Sequence, residues 1–95
     1  MEKNNYRDLD YIANGIMLEV EDKAALEEGK KKRLLASQFT FVRKQTGMNR
    51  KEFAQWLGIP YRTMQDWELG TSQVPEYVLR LVAYKVRMEK ERGNI

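Results

Sequence analysis

NRKEFAQWLGIPYRTMQDWELG, residues 49–70, holds two short helical patterns with only Gly58 and Ile59 between them. The first has a complete start signal. Asn49 is a cap residue, and Glu52 three positions later completes a capping box. Met48 before the cap and Phe53 at the fourth helical position form a hydrophobic staple. Phe53, Ala54 and Leu57 then face inward, and Gly58 ends the helix because it tolerates positive φ. Ile59 turns into the core. Pro60 starts the next helix, where its missing N–H is not needed. Met64 and Trp67 are the inward positions of that second helix, and Gly70 ends it. A link this short does not allow the helices to lie antiparallel. They must cross steeply, as in a helix-turn-helix, with small Ala54 at their closest approach. Tyr61, Arg62, Gln65 and Asp66 are then left on the outer face, in the arrangement of a rigid helix presented to the major groove.

The flanking chain also reads as helical. Phe39, Val42 and Thr46 share one face of a helix over about residues 34–46, which Gly47 stops in a left-handed turn. Before it, Gly29 to Arg33 (GKKKR) reads as a charged junction, either a solvated run or a basic arm formed by Lys30 to Arg33. In residues 6–28, Leu9, Ile12, Ala13, Ile16, Met17 and Val20 recur at helical spacing, interrupted by Gly15. After Gly70, Pro75 opens a last long helix to about Glu91. It carries two adjacent stripes: Tyr77, Leu81, Tyr84 and Met88, and Val78, Val82 and Val86. Together they are wider than one packed face requires, so the N-terminal segment, a second subunit or another protein covers part of them. Phe39, Phe53, Met64 and Trp67 are placed as core by the same spacing. The expected fold is all-α: a compact helical bundle built on the helix-turn-helix, with an acidic N-terminal helical extension over residues 1–29 that serves oligomerisation or partner binding. The helix-turn-helix domain proper is expected over residues 34–92, including the long C-terminal helix.

Ninety-five residues suit one small domain. The chain has no cysteine and no histidine, which removes disulfides, thiolate metal sites, the commonest general base and the commonest zinc ligand. Its only apolar N-terminal patch, YIANGIML, is flanked by acidic residues and is too short for a signal sequence or membrane span. A cytoplasmic protein is expected. Charge is segregated: residues 1–28 carry a net −5 and residues 29–95 a net +8. A basic domain of this size points to an anionic partner, most commonly nucleic acid.

Residues 49–70 resemble the DNA-binding domain of the phage repressor and Cro family, the XRE-type helix-turn-helix. The resemblance rests on Ala54, on Gly58 and Ile59 in the turn, and on Met64, Trp67, Glu68 and Gly70. Arg43, in FVRKQTG, stands where the family carries an Arg that pairs with the Glu. The likeness extends over about residues 37–84, half the chain. Three features depart from the pattern. Pro60 stands where the family has Ser or Thr. One long helix from Pro75 replaces two short ones, the second of which often forms the family's dimer. The acidic segment 1–28 has no counterpart. The geometry of a dimer is therefore not implied.

What the resemblance implies is a sequence-specific DNA-binding transcriptional regulator, a repressor acting as a homodimer on double-stranded DNA. Tyr61, Arg62, Gln65 and Asp66 match the positions that read base edges: Arg pairs with guanine, Gln with adenine, and Asp accepts from cytosine. Asp66 alternatively orients Arg62 one turn before it. Asn49, Arg50 and Gln55 match positions that meet phosphate or the recognition helix, and Lys44, Thr63, Thr71, Ser72 and Gln73 match or flank positions that meet phosphate. Arg43 and Glu68 are expected to form a structural ion pair. The alternative is an antitoxin-type protein that holds a toxin through residues 1–29 and autoregulates its operon. No catalytic residue, metal or cofactor is expected, and an enzyme is disfavoured.

Overall fold

A computed structural model describes residues 6–15 and 28–95. These form five α-helices: α1 (Arg7–Ala13), α2 (Glu28–Lys44), α3 (Arg50–Leu57), α4 (Tyr61–Leu69) and α5 (Glu76–Glu91). Among the described residues there is no strand, and no helix is long and apolar enough to cross a membrane.

Phe39, on α2, is the point on which the helix-turn-helix converges. Its ring meets Phe53 of α3 at 5.9 Å between centroids and Trp67 of α4 edge-on at 5.5 Å. Leu35, Phe39 and Val42, spaced four and three apart on α2, are all buried, as a helix with one apolar face requires. Phe53, Ala54 and Met64 complete this centre. Leu57, Ile59 and Trp67 are half-buried and pack against it.

Local sequence sets the ends of α3. Asn49 accepts from the Glu52 backbone N–H at 2.8 Å, and Glu52 accepts in return from the Asn49 N–H at 3.0 Å. Met48 packs on the core beside this cap. At the other end Gly58 is left-handed, φ +74°. Its N–H donates to the Gln55 carbonyl, and the Ile59 N–H donates to the Ala54 carbonyl at 2.9 Å. That pair of bonds is a complete Schellman motif, which needs φ > 0 at Gly58. Pro60 caps α4 from outside rather than forming its first turn.

Three expectations change. First, α2 begins at Glu28, so Lys30–Arg33 occupy its opening turns and are not a junction or a loose arm. Lys and Arg are good helix formers, and the packed Leu35–Phe39–Val42 face carries the helix back through them. Lys31 is tied to Glu76 at 3.0 Å. Second, α1 stops at Ala13, and Gly15 lies left-handed against Arg80. Ile16, Met17 and Val20 lie outside the described residues. Third, α1 is not set apart from the domain at residues 34–92. Leu9 and Ile12 are buried in the common core, and α1 packs more extensively on α5 than any other pair of described helices does on each other. Asp10 accepts from Arg87 at 2.9 Å, and Arg87 stacks over the Tyr6 ring.

This contact accounts for part of the width of the apolar surface on α5. Leu79, Val82, Ala83 and Val86 are buried, while Tyr77, Leu81 and Tyr84 remain exposed. These three border a shallow groove with Ala13 and Arg80. Beneath α1 and α5, Gln38 Nε2 is buried with no hydrogen-bond partner. It lines a small cavity with Ile12, Leu35 and Leu79.

Candidate nucleic-acid interface

The nine residues of α4 divide into two sides. Met64 is fully buried and Trp67 meets Phe39, so this side is committed to the core. Glu68 is committed too, by charge. Its side chain has no solvent exposure. One carboxylate oxygen accepts from Arg43 Nε of α2 at 2.7 Å, and the other from Arg50 Nε of α3 at 2.9 Å. Arg43 also donates through Nη1 to the Met48 carbonyl at 3.0 Å. A buried carboxylate persists as an ion only with such partners. The three residues therefore clamp α4 to both preceding helices. The expected pairing of Arg43 with Glu68 is present. Arg50 thereby takes the second of its two expected roles, contact with the recognition helix, although no local rule in the sequence names Glu68 as its partner.

The opposite side of α4 is open. Tyr61 and Arg62 are exposed on the first turn, the Arg62 side chain to 83%. Arg62 Nε lies 3.4 Å from Asp66 Oδ1, an i,i+4 pair at the surface. Such a pair holds weakly and yields to a better acceptor. Thr63, Gln65 and Asp66 are half-buried. Asp66 thus faces Arg62 in the arrangement that orients it, the second of its two expected roles.

The residues expected at phosphates do not share one environment. Lys44 is exposed at the end of α2, Gln55 on the outer side of α3, and Thr71 and Ser72 in the loop after α4; Gln73 is half-buried. The Ser72 N–H donates to the Asp66 carbonyl, closing that loop back on α4. Asn49 is exposed, but its side-chain oxygen is used in the cap. Arg50 is the exception, because its Nε is held by Glu68. Two further contacts were not expected from the sequence. Lys85 of α5 sits 4.6 Å over the Trp56 ring, and Lys90 donates to the Gln45 carbonyl, joining the ends of α5 and α2. Both join residues far apart in the chain, so no spacing rule announces them.

Among the described residues no group of three or more acidic side chains is placed to hold a metal ion. Comparison with protein families, with curated proteins and with solved structures returned no match.

Proposed function

We propose that the protein is a sequence-specific DNA-binding regulator of transcription, a repressor that enters the major groove with α4. The observation that carries this reading is the two-sidedness of α4. Met64, Trp67 and Glu68 anchor it on one side, and Tyr61 and Arg62 are presented on the other. A helix held so firmly by a buried ion triad has a fixed attitude, which reading base edges demands. The net +8 of residues 29–95 supports an anionic partner. One helix of this length reads only a few base pairs, so the reading includes a second copy on a related half-site about one helical turn away. It places the protein in the cytoplasm and assigns it no catalytic residue, metal or cofactor. The alternative, a toxin held through residues 1–29, loses the apolar face of α1, because Leu9 and Ile12 are spent in the chain's own core.

The test is selection from randomised duplexes followed by sequencing. Recurrent half-sites, arranged as an inverted repeat, are expected. No enrichment over the input pool overturns the reading. With the selected duplex in hand, Arg62→Ala is expected to cost about 1–3 kcal/mol and relax the choice at one base pair. An equal loss on every sequence would make Arg62 a phosphate contact.

A further inference from the structure

We propose that Arg50 is a positioning residue for base reading and not a phosphate contact; this rests on the DNA-binding reading above. Residues at the start of α3 in the resembling family meet phosphate or the recognition helix, and Arg50 is only partly covered, with 33% of its side chain exposed. Its Nε, however, holds one oxygen of Glu68, whose side chain is wholly buried. Swinging Arg50 out to a phosphate strips that oxygen of its donor. An abandoned buried charge costs more than one solvent-exposed phosphate contact returns.

The geometry shows what Arg50 does instead. α4 has no side-chain cap at its N-terminus, where Pro60 stands. Met64 and Trp67 seat it on the core by apolar packing, and the directional bonds that fix its rotation are those at Glu68. Arg43 alone, from α2, leaves Glu68 a pivot. Arg50, from α3, grips the second oxygen from a different helix and removes that rotation. Arg62 lies six residues up α4, roughly 9 Å along the axis, so a small rotation at Glu68 is enlarged at the guanidinium. Two-point hydrogen bonding to a base edge tolerates little such error. Lys44 provides the contrast, because it is exposed and makes no ion pair among the described residues.

The experiment uses the full chain with Arg50→Met, Arg50→Lys and Lys44→Met. Affinity for the selected duplex and for a scrambled one is read by fluorescence anisotropy at several salt concentrations. Arg50→Met is expected to lower the selected-to-scrambled ratio about tenfold, equivalent to ~1.4 kcal/mol, with the salt slope of the wild type. Lys44→Met is expected to keep the ratio and make the slope shallower by about 0.9. Arg50→Lys keeps the charge but has no counterpart of the guanidinium Nε–H at that point, so the ratio stays low. The proposal is overturned if Arg50→Met flattens the slope by about one counterion at unchanged ratio, or if Arg50→Lys restores wild-type binding.

A DNA-free measurement separates the two readings. Amide exchange across α4 in Arg50→Met is expected to be faster than in the wild type while α2 is unchanged. Unaltered exchange in α4 overturns the positioning role. Failure of the wild-type protein to bind any duplex overturns the DNA reading instead, and exchange still decides whether Arg50 holds α4.

Discussion

Arg43→Met tests the clamp at its centre. Arg43 is the more enclosed of the two cations, with 14% of its side chain exposed, and its contact to Glu68 is the shorter at 2.7 Å. The substitution removes that bond and the one to the Met48 carbonyl. Glu68 stays buried and keeps only Arg50. Removing one partner of a buried ion pair costs about 3–5 kcal/mol, mostly because the other charge is left uncompensated. Arg50 offsets part of this, so the low end, about 3 kcal/mol, is expected. For a domain of this size that lowers the melting temperature by roughly 12–24 °C. The assay is thermal and urea unfolding followed by circular dichroism, on Arg43→Met, Glu68→Met and the double variant. The double variant removes the stranded carboxylate, so it is expected to recover about 2 kcal/mol relative to the sum of the singles. The effect is also expected to persist in high salt, since enclosed charges are poorly screened. A loss under about 0.5 kcal/mol, with additive singles, would place the triad among surface pairs of negligible worth and refute the argument.

Three further outcomes concern the core. Ile12→Ala, on α1, is expected to destabilise the fold by about 2–5 kcal/mol, as a buried large-to-small change does; a near-neutral urea midpoint would return α1 to the status of an appendage. By the same argument a chain beginning near Gly29 is expected to have a markedly lower urea midpoint than the full protein, because it removes Leu9 and Ile12 from the common core. Gln38→Met is expected to raise stability by about 1 kcal/mol, because an unpaired buried amide costs ~1–3 kcal/mol and Met is apolar and adaptable. A lower urea midpoint would show that the amide is satisfied in solution.

Much of this protein is written in short-range signals. The Asn49–Glu52 capping box, the Gly58 stop, the inward Phe53, Ala54 and Met64, and the close of α4 at Gly70 all stand where the residues place them. Each depends on groups within about two helical turns, so local chemistry decides it. The all-α class follows from the same spacings. The outward aim of Tyr61 and Arg62 also follows, because the inward positions of α4 are unambiguous.

Other features belong to the tertiary structure, for an equally physical reason. Lys30–Arg33 look like a break by charge, yet packing of Leu35 and Phe39 extends the helix through them. Gly15 only weakens a helical pattern on paper; placed against Arg80, it ends α1. The Leu9–Ile12 stripe needs a cover, but no residue near it in the chain says which. The broad apolar surface of α5 supplies it, across more than sixty residues of sequence. Glu68 invites a cation, and several arginines qualify. The resemblance singles out Arg43, but only the meeting of α2, α3 and α4 adds Arg50, because a buried carboxylate has two oxygens to satisfy and the fold brings one arginine to each.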